Sequence, residues 1–224
     1  GYGLLSGDID THQSGFVHDL ASLTEPETIY GYLAAAIIER CNNDGPALTV
    51  ICCDNIKEGG LLLNSGVNKL LEQHSAPALQ WANQHTSFAS SMVDRVSPAT
   101  DDEHRQMVGD HLGLEDAWPV ATESFTQWVI QDNFAGPRPP FDKVGALFVD
   151  DVSAYEQMKL RFLNAAHSII SALGYLAGDI SIHQALNRPA LYKFAEQALV
   201  QNIMPVTHIP EGSDALAYIK EILF

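Results

Sequence analysis

Three polar side chains interrupt an apolar helical segment in the stretch Met158 to Ser168, which reads MKLRFLNAAHS. They are Lys159, Asn164 and His167. At about 100° per residue, Asn164 lies roughly 140° and His167 roughly 80° around the helix from Lys159, so all three fit on one side. A desolvated lysine can take the proton of an alcohol while a hydride leaves the adjoining carbon, and an amide can hold the developing oxyanion. The histidine can fix the substrate or the base.

The same residues also have a simpler interpretation. A lysine in the first turns of a helix is usually a surface residue whose stem covers apolar neighbours. Asparagine and histidine within a helix are often core residues with satisfied hydrogen bonds. The spacing alone leaves both interpretations open, and the elements around these residues have to be considered.

A second amide, Asn55, follows a predicted strand. Residues 47–53, ALTVICC, form a short β-rich run that predicts a strand buried on both faces, as in a parallel sheet. Helices are predicted before it, over 24–43, and after it, over 57–73. This order is typical of a doubly wound α/β sheet, in which ligands gather at the carboxyl ends of strands. Asn55 is expected at such an end, unless it serves only as the N-cap of the following helix.

The remaining elements become more helical along the chain. Thr24, with Glu27 three residues later, predicts a capping box at the start of the first helix. Residues 92–96 are predicted as a strand or extended loop closed by Ser97 and Pro98, and 124–134 as extended or mixed. Further helices are predicted over 77–86, 101–113, 152–177, 180–186, 188–202 and 213–223. The proline-rich GPRPP at 136–140 is the best candidate for a domain boundary.

Composition excludes several classes of protein. The 224 residues carry a net charge of −16, which argues against a nucleic-acid partner. The three cysteines are Cys41, Cys52 and Cys53, and they form no CxxC pair. The sequence thus shows neither a disulfide framework nor a structural zinc pattern, so we expect a reducing cytoplasm. No apolar run approaches the roughly 20 residues that span a membrane. His104 and His111 lack companions at ligand spacing, so no metal is expected. We expect a monomer.

Several blocks along the chain resemble the long-chain polyol dehydrogenases, the family of mannitol 2-dehydrogenase and the hexuronate reductases. MKLRFLNAAHS is similar to the family's Lys-x4-Asn-x2-His signature. LTVICCDNI resembles its strand ending in Cys-Asp-Asn, and SSMVDRVSP its Met-Val-Asp-Arg block. Other similar blocks, in chain order, are DAWPVATESFTQWVIQDNF, FDKVGALFVDDVSAYEQMKLRFLN and LGYLAG.

The resemblance implies a role for each matching residue. Lys159 would be the general base, and Asn55 and Asn164 the amides that polarise the substrate oxygen. His167 would position the substrate, with Asn164 also contacting it. Asp94 would lie close to substrate and cofactor. Val93 and Asn55 would contribute to binding NAD, with NADP not excluded and no metal required. Residues 1–140 would form the C-terminal portion of a Rossmann-type α/β domain, which is therefore incomplete. Residues 141–224 would begin a mostly α-helical substrate domain.

Some positions depart from the family's pattern. Ala165 and Ala166 replace its Gly-Ser, Gln131 replaces a glutamate and Ser124 a proline. The glycine-rich dinucleotide fingerprint is missing, and we expect the chain to be a piece of a longer protein. A local ion pair between Asp94 and Arg95 is the alternative role for that carboxylate. The expected reaction is metal-independent hydride transfer on a linear polyol, mannitol to fructose; the alternatives are mannonate to fructuronate, or an inactive truncated remnant.

Overall fold

The computed structural model describes residues 8–97 and 99–223, together with the main chain of residues 4–5. Pro98, predicted to close an extended segment, lies outside the described residues. The strands are β1 (Leu4–Leu5), β2 (Asp8–Ile9), β3 (Leu48–Cys52), β4 (Thr86–Asp94), β5 (Gln127–Gln131) and β6 (Leu147–Val149). The α-helices are α1 (Ser14–Ala21), α2 (Ile29–Asn42), α3 (Gly59–His74), α4 (Ala76–His85), α5 (Asp102–Leu112), α6 (Ser153–Lys159), α7 (Ala165–Leu176), α8 (Ile182–Leu186), α9 (Pro189–Gln197) and α10 (Ala215–Ile222).

The chain divides into two compact units that are interleaved in sequence. The first consists of Gly1–Met92 and Val129–Ser153, and the second of Val93–Trp128 and Ala154–Phe224. The single boundary predicted near residue 140 separates two domains along the sequence, whereas these two units are defined by contacts in space. The predicted boundary therefore stays a prediction.

The first unit contains a four-stranded sheet in the order β3-β4-β5-β6. The pairs β3–β4 and β5–β6 are parallel, with Cys52 opposite Ser90 at the carboxyl end of β3. The predicted helix, parallel strand and helix are therefore confirmed. The expected burial on both faces is wrong for most of β3, which is only half-buried because it lies at one edge of the described sheet. The core includes Phe16, Tyr30, Ile37, Val67, Leu70 and Leu71.

Helix α2 begins later than predicted. Thr28, and not Thr24, is its N-cap, and the Thr28 side chain accepts a hydrogen bond from the main-chain N–H of Gly31. The cause is Asp19, whose buried carboxylate accepts hydrogen bonds from Glu27 N at 2.8 Å, Thr28 N at 2.9 Å and Thr28 Oγ1 at 2.6 Å. These bonds hold the main chain at Glu27 and Thr28 outside the helical conformation, so the helix begins only at Ile29.

Strand β4 is longer than predicted and follows α4 directly. Its serines conceal the apolar pattern of a buried strand, yet Ser87, Ser90 and Ser91 are all buried. Ser91 Oγ donates to Cys52 O at 2.7 Å, and Ser90 Oγ accepts from Gly60 N at 3.0 Å. Hydrogen bonds to neighbouring elements therefore satisfy side chains that looked like those of a loop.

The second unit is largely helical around its own core, which includes Met158, Phe162, Ile170, Leu199 and Ile219. The predicted helix over 152–177 is interrupted by a π-helical segment at Leu160–Asn164, and the predicted helix over 188–202 ends in another at Ala198–Ile203. Among the described residues, no helix combines the length and the apolar character needed to cross a membrane.

Candidate active site

Lys159 is the last residue of α6 and is buried, with 9% of its surface exposed. Its Nζ donates a hydrogen bond to the main-chain oxygen of Val93 at 2.5 Å. Burial lowers the pKa of Lys159 below its ordinary value, although the charge of Asp94 opposes this effect. The interpretation of Lys159 as a surface residue is therefore wrong, because its ammonium end is itself held within the second unit.

Asp94 ends β4 next to Val93 and is 2% exposed. Its Oδ2 accepts a hydrogen bond from Tyr218 Oη at 2.6 Å. Burial raises the pKa of Asp94 above its ordinary value, and Glu123 raises it further, whereas Tyr218, Lys159 and His167 lower it. The site thus places a buried acid and a buried base within electrostatic reach of each other, which is the arrangement found where proton transfer is needed.

The π-helical segment Leu160–Asn164 changes the phase between Lys159 and the residues that follow. A π turn takes up one extra residue, so later side chains lag by about one residue, or roughly 100°. On that basis Asn164 lies about 40° and His167 about 20° to either side of Lys159, closer than an uninterrupted helix would place them. Asn164 and His167 are five and eight residues from Lys159 in sequence. Because the π turn takes up one residue, they lie where residues four and seven positions away would lie on a regular helix, which is on the same face.

The environments of Asn164 and His167 differ from that of the lysine. Asn164 is exposed, whereas His167 is half-buried and contributes its charge to the environment of Asp94. Of the two alanines between them, Ala166 is fully buried in the core of the second unit. Its small side chain is thus explained by packing.

Asn55 lies in the first unit, three residues after β3 ends, and its side chain is exposed. Its main-chain N–H donates to Asp54 Oδ1 at 2.8 Å. The alternative role as an N-cap of α3 is wrong, because that helix begins only at Gly59 and is preceded by Glu58 in a left-handed conformation, with φ of 52°. Its chemical role stays a prediction.

The alternative of a local Asp94–Arg95 ion pair is excluded by hydrogen bonds. Asp94 is bound by Tyr218, while Nε of Arg95 donates to the main-chain oxygen of Glu123 at 3.1 Å, so the local Asp94–Arg95 pair is wrong.

The departure at Gln131 has a structural basis in the first unit. Its amide accepts from Ser90 N at 3.3 Å and donates to the main-chain oxygen of Asp150 at 3.4 Å, and an ionised glutamate cannot make the second bond.

Tyr218 is the residue that the sequence did not reveal. It lies in α10 beside Ala215 and Ile219, both buried, and a tyrosine in an apolar stripe predicts only core packing. Its partner is 124 residues away in the sequence, and no local spacing signals such a contact. Across residues 8–97 and 99–223 no group of three or more His, Cys, Asp or Glu side chains could hold a metal ion.

Comparison with known families identifies the class of protein that this fold and site define. The family model for the mannitol dehydrogenase Rossmann domain matches residues 6–143, and that for the mannitol dehydrogenase C-terminal domain matches residues 151–224. The chain therefore belongs to the mannitol dehydrogenase family, with a Rossmann-like N-terminal domain and a helical C-terminal domain.

Individual relatives carry two different names. D-mannonate oxidoreductase of Escherichia coli (strain K12) is 39% identical over 213 residues, covering 95% of this chain and 44% of that protein. Mannitol 2-dehydrogenase of Pyricularia oryzae (strain 70-15 / ATCC MYA-4617 / FGSC 8958) is 34% identical over 221 residues, covering 96% of this chain and 44% of that protein. The chain spans less than half the length of these curated relatives.

Solved structures agree with the fold. A substrate-free D-sorbitol dehydrogenase aligns with a TM-score of 0.90 and 28% identity, covering 99% of this chain and 46% of that one. The ternary complex of Pseudomonas fluorescens mannitol 2-dehydrogenase with NAD and D-mannitol aligns with a TM-score of 0.84 and 34% identity, covering 97% of this chain and 44% of that one.

Proposed function

We propose that the protein carrying this chain is a metal-independent oxidoreductase that transfers a hydride between NAD and a secondary alcohol of a linear polyol or sugar acid. The observation that supports this most directly is the buried Lys159, whose Nζ meets the Val93 carbonyl beside the buried Asp94. Lowering the pKa of an amine by burial increases the fraction that is uncharged at a given pH, and only the uncharged amine accepts a proton.

The roles of the chain's own residues follow from this chemistry. As the alcohol is oxidised, its O–H proton passes to Nζ of Lys159. The amide of Asn164 holds the oxygen as its negative charge develops, and His167 fixes the substrate beside the lysine. The same role for Asn55 is what the family resemblance implies, and it stays a prediction. Asp94 supplies the negative charge that steadies the ammonium form of Lys159 after it takes the proton.

The first unit fits a nicotinamide cofactor in one respect. Cys53, Asp54 and Asn55 are exposed after the carboxyl end of β3, the part of a parallel sheet where such cofactors bind. Asn55 would help to hold NAD, which when bound supplies the hydride acceptor. Val93, in the second unit, is assigned to the cofactor by the family resemblance alone. The mannitol 2-dehydrogenase complex with NAD supports this assignment, and NADP is left open.

Mannitol, oxidised to fructose, is the proposed substrate, in line with the relatives named mannitol 2-dehydrogenase. D-mannonate, oxidised to fructuronate, is the second candidate, because the relative named D-mannonate oxidoreductase is 39% identical. A sugar acid needs a cation for its carboxylate, which a polyol does not. Comparison of kcat/KM for the two substrates decides between them.

The experiment is an assay of the whole protein with NAD and each substrate, after treatment with EDTA. Substrate deuterated at the reacting carbon should yield deuterated NADH, with unlabelled substrate as the matched control. Turnover that disappears with EDTA would contradict metal independence. Absence of turnover with both substrates would contradict the enzyme and leave the inactive remnant. We also propose a cytoplasmic location. The three free thiols, Cys41, Cys52 and Cys53, are compatible with a reducing compartment.

A further inference from the structure

We propose that Tyr218 is a positioning residue of this site, whose hydroxyl holds the Asp94 carboxylate so that its negative charge faces Lys159. The proposal rests on the proposed function for its catalytic meaning, but the effect on Lys159 can be measured without turnover. Tyr218 would act on the reaction through Asp94, to which its hydroxyl is bound.

The contacts of Tyr218 connect it to both sides of the acid–base pair. Its Oη lies 2.6 Å from Asp94 Oδ2, and the two residues are 5% and 2% exposed. Its ring lies 6.2 Å, between centroids, from that of Phe162, which is fully buried three residues after Lys159. A second ring contact, at 6.1 Å, joins it to Phe125. The tyrosine is therefore fixed against the same helical segment that carries the lysine.

The partner of the hydroxyl distinguishes this contact from ordinary core packing. A buried tyrosine usually satisfies its O–H with any available acceptor, most often a carbonyl or water. Here the acceptor is a buried carboxylate, and donation to the ionised form stabilises its charge. Asp94 in turn favours the ammonium form of Lys159.

Other charged groups act on the same pair. Glu123 and His167 both influence Asp94, with opposite signs, and Glu156 is buried on α6, the helix of Lys159. Tyr218 is the neighbour whose hydrogen bond to Asp94 can be removed by deleting a single oxygen atom. That change leaves the ring contacts with Phe125 and Phe162 in place.

Removal of the hydroxyl has a defined consequence. In Tyr218→Phe the Asp94 carboxylate loses its donor in a dry environment, so it takes up a proton more readily. Lys159 then loses its counter-charge, and its amine becomes uncharged at lower pH. The acid limb of kcat/KM for alcohol oxidation should therefore move to lower pH by about half a unit or more.

The test measures the ionisation of Lys159 directly in the whole protein. Lysines labelled with ¹³C at Cε are titrated by NMR, and the Lys159 resonance is assigned by its loss in Lys159→Met. Tyr218→Phe should lower the midpoint, whereas the matched control Tyr192→Phe, in α9, should leave it unchanged. In an Asp94→Asn background Tyr218→Phe should have no further effect, since the two residues then no longer share an interaction.

The outcomes separate this proposal from the proposed function. An unchanged or raised Lys159 midpoint in a folded Tyr218→Phe protein would overturn the positioning role, as would the same shift in the Asp94→Asn background. Absence of turnover by the unmodified protein would contradict the proposed function alone, because the NMR titration still reports on Tyr218. A lowered midpoint that depends on Asp94 would establish the role.

Discussion

Lys159 and Asp94 illustrate why single residues could be predicted here without their environment. The type and spacing of Lys159, Asn164 and His167 marked a candidate site, and the resemblance added Asp94. The burial of the lysine and the hydroxyl of Tyr218 depend on residues that are distant in sequence. Spacing therefore indicated which groups were present, but not the electrostatic balance between them.

Asp19 carries a prediction at the same scale. Burial would raise the pKa of Asp19, but hydrogen bonds from Thr28, Glu27 and His18 bring it below its ordinary value. A depressed folded-state pKa means that its stabilisation is present above the unfolded pKa of about 3.9 and is lost as pH falls through the folded value.

Asp19→Asn should therefore lower the free energy of unfolding by about 2–3 kcal/mol near neutral pH and by much less at the acid end. Urea denaturation at a series of pH values measures both. The exposed Asp150→Asn, in the same unit, is the matched control. An equal loss at all pH values would contradict the ionised carboxylate as the source.

At the scale of elements, a helix with local residues marking both of its ends was predicted well. Helix α5 was predicted over 101–113 and spans Asp102–Leu112, because Asp101 caps its start and Gly113 its end. Predictions failed where a distant group or an unusual turn intervened: Asp19 delayed α2, buried serines concealed β4, and a π-helical segment interrupted the long helix at Leu160–Asn164. The apolar pattern of a 3.6-residue period does not reveal the extra residue that a π turn takes up.

The phase that the π-helical segment sets between Lys159 and the residues after it should be required for the alignment of the site. Insertion of one alanine after Leu160, which is 47% exposed, should rotate Lys159 by about 100° relative to Asn164 and His167. We expect kcat to fall at least about 100-fold, as for the loss of a general base. Leu160→Ala, which keeps the length, is the control. Near-normal kcat in a folded insertion variant would show that the phase is unimportant.

Helix α3 provides a second test at this scale. A Cβ at Gly60 would lie 2.5 Å from the main-chain oxygen of Phe88 and 2.6 Å from Ser90 N, so α3 can approach β4 only with glycine there. Gly60→Ala should lower the free energy of unfolding by about 1–3 kcal/mol. Gly136→Ala, where nothing lies within 4 Å, should be nearly neutral. Equal thermal unfolding midpoints for the two variants would refute this packing argument.

At the scale of the whole molecule, the α/β texture followed by helices was sufficient to predict the fold class. The recruitment of Val93–Trp128 into the helical unit could not be predicted, because it depends on contacts with residues more than sixty positions away, such as that of Val93 with Lys159. The reaction belongs to this scale as well. The chain covers 44% of its D-mannonate oxidoreductase relative, so activity is a property to be measured on the whole protein.

The most direct test of the central claim is kcat for NAD-dependent polyol or aldonate oxidation by the whole protein with Lys159→Met. Methionine keeps the length and apolar stem of the side chain but cannot accept the proton. We expect kcat to fall about 10²–10⁴-fold while the thermal unfolding midpoint is kept, and the exposed Lys193→Ala control to retain full activity. A folded Lys159→Met protein with kcat within about threefold of the unmodified one would contradict Lys159 as the general base.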